Sequence, residues 1–338
     1  MTAPATMEAL LVEELPNEGG WLFEPKWDGF RCLAVRDGRE VALWSRSGKP
    51  LGRYFPEVEG ALASLRQEGF TFDGELVVPT AKGLSFDALS QRLHPAASRV
   101  ARLAAETPAL MIVFDLLEED GTDLRSLPLA ERRSRLEMFA ARLDPSAFRL
   151  SPQTAHRDTA LGWLQRTGGA LDGVVAKRAD QPYRAGERAM LKIKSHRTAD
   201  CVVGGFRFDA LGREVASLLL GLYGDDGLLH HVGFAASFKA AERRSWTSEL
   251  LPLVEPPGFT GNRPDKASRW ARDRTADWQP LRPELVVEVR YDQVTGGRFR
   301  HGTRLLRRRP DKRPDQCRFD QLAPPLTPVE LTDLLAQS

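Results

Sequence analysis

The sequence predicts two domains, a mixed α+β domain followed by an all-β domain. The chain has 338 residues, and single hydrophobic cores seldom grow much beyond ~250 residues. Up to Lys194 short apolar strands alternate with amphipathic helices, whereas beyond it strands predominate. Between the two patterns lies the polar run Ser195-His196-Arg197-Thr198-Ala199-Asp200, which reads as a connector. We therefore expect a first domain over 1–196, a hinge over 197–200 and a second domain over 201–338.

Strands are expected where apolar runs are bounded by turn residues. In the first domain these are 70–78, interrupted by the Asp73-Gly74 step, then 110–117, 171–177 and 190–194. Apolar and Lys residues alternate at period two in the last of them. A strand ending near Phe23 and another starting at Phe30 flank Lys26. Residues 57–67 and 129–143 carry apolar side chains at helical spacing. In the second domain, strands are expected at 201–208, 216–223, 228–234 and 284–291, with a helix at 240–251. Such a set suits a small closed barrel of the OB-fold kind. Residues 255–283, rich in Pro, Arg and Trp, read as a long loop. Thr327-Pro328-Val329-Glu330 is a capping box with proline at the first helical position. Leu331, Leu334 and Leu335 give that helix one apolar face, expected to close the second domain.

Composition excludes several classes. The hydrophobic content of 42% supports a buried core, and the 28% of charged residues is ordinary for a soluble chain. A formal net charge of +2 gives no global argument for a nucleic-acid partner, so local clusters must make it. The three cysteines, Cys32, Cys201 and Cys317, are widely spaced with no CxxC pair. That spacing speaks against a disulfide framework and a Cys-based zinc site. The N-terminal segment has no basic region followed by an apolar stretch, and no run approaches ~18 apolar residues. A soluble cytosolic protein is expected.

Chemistry centres on Lys26 in Glu24-Pro25-Lys26-Trp27-Asp28-Gly29. A lysine is a nucleophile only when neutral, which burial and neighbouring positive charge both favour. Gly29 permits a tight turn that presents Lys26 at a strand edge. A K-x-D-G tetrapeptide alone also fits a solvated lysine beside a turn. The motifs that follow in order decide the matter: Ser45-Arg46-Ser47-Gly48, Phe72-Asp73-Gly74-Glu75, Phe114-Asp115, Asp172-Gly173-Val174-Val175-Ala176-Lys177, Leu191-Lys192-Ile193-Lys194 and Arg309-Pro310-Asp311-Lys312. This series resembles the covalent nucleotidyltransferase superfamily, and within it the small bacterial ATP-dependent DNA ligases called ligase C and the ligase module of ligase D. The stretches 217–223, 230–233 and 299–304 are similar to that group as well.

The resemblance implies an α+β adenylation domain with antiparallel sheets followed by an all-β OB-fold domain. It implies that Lys26 attacks the α-phosphorus of ATP and carries AMP, with Mg2+ or Mn2+ as the metal cofactor. The AMP then passes to the 5′-phosphate of nicked double-stranded DNA, and the 3′-hydroxyl displaces it. Lys192 and Lys194, two apart on a strand, share a face and are expected to contact the α-phosphate and favour neutral Lys26. Glu75, Asp172 and Asp28 are the expected metal ligands, Glu75 also contacting the ribose. Phe114 would stack on adenine with Val174 or Val175 on its other face, and Glu24 would read the adenine amino group. Arg31 and Arg46 match positions that contact ribose and the nick phosphate, and Arg188 is a further phosphate contact. Arg309 and Lys312 would orient pyrophosphate. Two departures from the family pattern stand out: Asp172 where Glu is usual, and Arg188-Ala189-Met190 where a Trp often precedes the motif.

Arg298, Arg300, His301, Arg304, Arg307, Arg308, Arg309, Lys312 and Arg313 cluster within 16 residues and are expected to form a DNA-phosphate patch. A second cluster, Arg263, Lys266, Arg269, Arg272 and Arg274 with Trp270 and Trp278, is expected to contact either DNA or an ATP-bound closed state. The resemblance implies a monomeric repair ligase whose OB domain turns about the hinge, served by polymerase, nuclease and end-binding proteins in trans, with no membrane role. The alternatives are an RNA ligase or guanylyltransferase of the same superfamily, and a non-catalytic DNA-end-binding scaffold. A NAD-dependent ligase lacks support, since its nicotinamide-binding segment and four-Cys site are missing from this sequence.

Overall fold

The computed structural model describes residues 3–81, 83–166, 171–194, 197–236, 238–264, 278–292, 294–300, 303–322 and 327–336. They fall into two compact units, Met1–Ser195 together with Pro324–Ser338, and His196–Ala323.

The first unit is built on two sheets. One has the strand order Ala9–Val12, Met190–Ile193, Leu171–Arg178, Trp21–Trp27, antiparallel except for the first pair. The other runs Phe148–Leu150, Leu110–Glu119, Gly69–Val77, Phe30–Asp37, Glu40–Ser45, again with one parallel pair at an edge. The Trp21–Trp27 strand continues through Lys26, beyond the expected end near Phe23, and lies at the edge of its sheet. The chain then reverses at Asp28-Gly29. Only glycine fits this reversal, because a Cβ at Gly29 would sit 2.2 Å from the Leu76 carbonyl oxygen.

Helices Pro56–Ala63 and Leu129–Ala140 place Val58, Leu62 and Phe139 in the core of the second sheet. There the Phe70, Phe72 and Phe139 rings pack with centroids 4.7, 4.9 and 5.2 Å apart. Asp115 accepts both of its hydrogen bonds from Arg132, and each residue is 1% exposed. Removing one partner of such a buried pair costs about 3–5 kcal/mol, because the other charge is stranded.

The second unit is a barrel. Its strands follow the order Leu229–Ala235, Val215–Tyr223, Arg197–Phe208, Val286–Tyr291, Arg304–Arg308, all antiparallel. A parallel bridge between Ala235 and Thr303 joins the two ends. This is the Greek-key closure of an OB-fold, and the helix Ala240–Leu250 lies in the connection from Leu229–Ala235 to Val286–Tyr291.

Three expectations about organisation are corrected. Arg197 to Asp200 is not a free connector: it opens the Arg197–Phe208 strand, in register with Tyr291 to Glu288. Polar residues suit a strand here because Asp200 finds cationic partners within the barrel. The expected loop over 255–283 contributes Phe259 to the barrel core and the short strand Gln279–Pro280, which pairs with Arg197–Phe208. Finally, the helix Pro328–Leu335 belongs to the first unit, not the second. Its Leu331 and Leu334 join Leu15, Leu84, Trp27 and Trp163 in one core. Thr327 caps it as expected, accepting from the Glu330 N–H.

Candidate active site

A cavity of about 1220 Å³ opens between the two sheets of the first unit. Glu24, Lys26, Val175, Lys177 and Lys192 reach it from one sheet, and Arg31, Glu75 and Phe114 from the other. Arg46 lines it from the tight turn after Glu40–Ser45, where Gly48 takes φ +73 and donates to the Ser45 carbonyl. Arg188 lines it too, 3.9 Å from Glu8. Residues from the motifs of the first unit, far apart in sequence, are therefore brought to one chamber.

At its wall, Lys26 Nζ donates to Asp172 Oδ2 at 2.5 Å, and Lys194 Nζ lies 3.0 Å from Asp172 Oδ1. A β-bulge creates this juxtaposition. Leu171 pairs with Trp27 and Gly173 with Lys26, which leaves Asp172 as the extra residue aimed at the lysine. Gly173 takes φ +135, and a Cβ there would sit 2.0 Å from the Ile193 carbonyl oxygen. Glycine after Asp172 is thus a geometric requirement of the site. Burial pushes the Asp172 carboxyl up, but Lys26 and Lys194 outweigh it and hold it below its ordinary range. The Lys192 ammonium is shifted down by burial, then by Lys26, Lys194 and Arg46. The strand lysines do surround Lys26, but with a carboxylate bridging two of the three.

Glu75 accepts a hydrogen bond from the Gly29 N–H at 3.1 Å. Burial, opposed by Lys26 and Arg31, pushes its carboxyl up to about 7. The three expected metal ligands are not gathered into one centre. Asp172 is taken by two ammonium groups, Asp28 sits in the reversal, and no set of three metal-binding side chains occurs among the described residues. Magnesium bound to a nucleotide needs only one or two protein carboxylates beside the phosphates, and of the three expected ligands Glu75 is the one that lines the cavity.

The adenine-side residues are more tightly built than their sequence suggests. Glu24 is 2% exposed and receives Gln153 Nε2 at 2.7 Å, with Lys177 Nζ at 2.8 Å. Lys177 also lies 4.6 Å from the Phe114 ring centroid. Of the two valines, Val175 lines the cavity, whereas Val174 is wholly buried among Leu15, Phe23 and Trp27. Strand alternation is the reason, and of the two valines expected beside adenine it leaves Val175 at the cavity and takes Val174 out of reach of it. Lys177 and Gln153 went unassigned from sequence. A charge two residues after Val175 was the available signal, since Lys177 shares its face.

Arg31 is anchored before it can touch any ligand. It donates to both carboxylate oxygens of Asp73, at 3.0 and 2.6 Å, and to the Met7 carbonyl at 2.6 Å. Tyr183 Oη donates to the same Asp73 at 2.7 Å. Burial disfavours the Arg31 charge, yet Asp73 more than compensates and its pKa is raised.

In the barrel, Arg309 and Lys312 converge on Asp200, at 2.7 and 3.1 Å. The expected phosphate patch is not uniform. Arg307 is paired with Glu288 at 2.5 Å, while Arg308 is paired with Glu249 and stacked 4.1 Å over Trp246. These carboxylates lie on neighbouring elements that the local run of cations does not reveal. Arg298 and Arg304 are exposed, and Arg300 is half-buried. His301 and residues 265–277 of the second basic cluster lie outside the described residues, while Trp278 packs on Phe259 at 5.5 Å.

No helix among the described residues is long and apolar enough to cross a membrane. Residues 5–194 match the family model for the ATP dependent DNA ligase domain, and residues 212–312 that for the ATP dependent DNA ligase C terminal region. The chain is 47% identical over 337 residues to DNA ligase C1 of Mycolicibacterium smegmatis, covering 96% of this chain and 94% of that protein. It is 32% identical over 302 residues to the multifunctional non-homologous end joining protein LigD of Mycobacterium bovis, covering 88% of this chain and 37% of that one. A solved Lig E DNA ligase shares the fold, with a TM-score of 0.54 at 17% identity over 90% of this chain and 99% of that chain. With both family models matched in order, and residues from the motifs of the first unit gathered in one chamber, the chain belongs to the ATP-dependent DNA ligase family.

Proposed function

We propose that Lys26 is the nucleophile of a nick-sealing reaction. Its Nζ forms a bond to the α-phosphorus of ATP as the bond to pyrophosphate breaks, and one Nζ proton leaves. The 5′-phosphate at a nick then takes the AMP from Lys26. Last, the 3′-hydroxyl attacks that 5′-phosphorus and AMP departs. The observation that carries this reading is the Lys26–Asp172–Lys194 bridge at the cavity wall. Asp172 fixes the direction of Nζ, while Lys192 and Lys194 supply charge for the phosphate, so catalysis is chiefly positioning and neutralisation. Glu75 would hold the divalent ion, which adds neutralisation of the phosphates when bound. Glu24, Lys177 and Val175 form one wall of the base site and Phe114 the other, while Arg31, Arg46 and Arg188 take ribose and phosphate. Arg309 and Lys312 act on pyrophosphate, and Arg298, Arg300 and Arg304 meet the DNA backbone.

A repair role is the narrower part of the proposal. It draws on the LigD relative, whose name carries end joining, and includes partner proteins in trans and a cytosolic, monomeric enzyme. Pull-downs that recover no repair polymerase, nuclease or end-binding protein would remove it. The central test is formation of a labelled protein–AMP adduct and sealing of a nicked duplex with ATP, run beside Lys26→Ala. Both signals should vanish in the variant. An adduct persisting in Lys26→Ala would move the nucleophile elsewhere.

A further inference from the structure

Asp200 is the feature of the barrel that the proposed chemistry does not yet use. Its carboxylate takes Arg309 Nη1 on Oδ1 at 2.7 Å and Lys312 Nζ on Oδ2 at 3.1 Å, and the residue is only 9% exposed. Its backbone is locked as well. The Asp200 N–H donates to Gln321 Oε1 at 2.8 Å, and Gln321 Nε2 donates to the Asp200 carbonyl at 3.0 Å and to that of Arg318 at 2.9 Å. Asp311 completes the group by accepting from Arg309 Nε and Nη2 at 2.9 and 2.8 Å. Across the ladder, Asp200 pairs in register with Glu288, which holds Arg307.

Arg309 and Lys312 are long side chains with ~2 kcal/mol of rotamer entropy each. Left alone on a surface they would be spread over many positions. A carboxylate fixed by its own main chain narrows both to one site, with the guanidinium and ammonium two bonds apart from a common carbon. That is the arrangement a phosphate-contacting pair needs before substrate arrives.

We propose that Asp200 is a positioning residue for the nucleotide step, preorganising Arg309 and Lys312, with Gln321 as its lock. The inference rests on the reading of Arg309 and Lys312 as pyrophosphate contacts, and it adds Asp200, 109 positions from Arg309 in the chain, together with Gln321. Asp200 touches no reacting atom.

Two reactions of the full chain separate the possibilities. One is formation of the Lys26–AMP adduct from labelled ATP; the other is sealing of a nicked duplex already carrying a 5′-adenylate, with no ATP. Asp200→Asn should slow adduct formation by on the order of ten- to a hundredfold, while sealing of the adenylated nick, which handles no pyrophosphate, stays within about twofold. Asp200→Glu should recover part of the loss. In an Arg309→Ala background, Asp200→Asn should cost far less than in the wild type, because coupled residues are non-additive. Equal loss in both reactions would make Asp200 a fold residue and overturn the proposal. Full additivity with Arg309→Ala would overturn it too. If Arg309→Ala alone leaves adduct formation intact, the pyrophosphate reading itself falls, and the inference with it.

Discussion

Both units contain the same small device, a carboxylate holding two cations, and they build it differently. In the first unit Asp172 bridges Lys26 and Lys194 from a β-bulge whose glycine admits no side chain. In the second, Asp200 bridges Arg309 and Lys312 from a regular strand, with its backbone held by Gln321. The first bridge includes the proposed nucleophile at the wall of a cavity. The second contains only auxiliary cations. The contrast teaches that a phosphate-handling lysine or arginine is stored on an acid of known position rather than left to wander. Where the partner is the proposed nucleophile, the acid sits on a distorted backbone that aims it; where the partners are the proposed auxiliary cations, the acid sits on an ordinary strand with one lock.

Charge removal tests the contrast most severely. Asp172→Asn should slow adduct formation on the order of a hundredfold, through loss of alignment at the nucleophile. That exceeds the central expectation for Asp200→Asn, and equal effects in a single-turnover adduct assay would erase the distinction. Gly173→Ala comes next, and it probes the bulge by stability rather than rate. Adding a Cβ at φ +135 against the Ile193 carbonyl should cost about 2–4 kcal/mol in urea unfolding, from strain and overpacking. A cost under ~0.5 kcal/mol, typical of neutral surface changes, would show that the bulge is dispensable.

The third test concerns Glu75, whose effect appears only as pH changes. Its carboxyl is raised from 4.5 to about 7, so the folded state binds this proton more tightly than the unfolded chain does. The resulting stabilisation is full below 4.5 and is lost as pH rises through about 7. Over that window the wild type should lose up to about 3 kcal/mol relative to Glu75→Gln. Parallel stability–pH curves for the two proteins would refute the shift.

Much of this was legible in the chain. Apolar runs bounded by turn residues located Met190–Ile193 and Leu171–Arg178, and motif order singled out Lys26 as the candidate nucleophile. What stayed hidden depends on partners far away in sequence. The polar residues before Cys201 look like a linker because the cations that make Asp200 a strand residue lie 109 positions or more downstream. The arginine run near 307 looks like free positive charge because Glu249 and Glu288 come from other elements. The C-terminal helix announces its cap and apolar face, but three leucines do not say which core will receive them. Val175 over Val174 was within reach, since Lys177 marks the cavity face of that strand.

The chain builds its first unit in two instalments, 1–195 and then 324–338, with the whole barrel between them. The barrel core needs only residues from Ala199 to Cys317. The core containing Leu15, Leu84 and Trp163 waits for Leu331 and Leu334. At ~5–20 residues per second of synthesis, that groove stays uncovered for roughly ten seconds after its own strands have left the ribosome. Order of translation and order of completion are therefore reversed: the domain encoded second is the first that can finish, and the domain that carries Lys26 is closed by a helix encoded after the barrel.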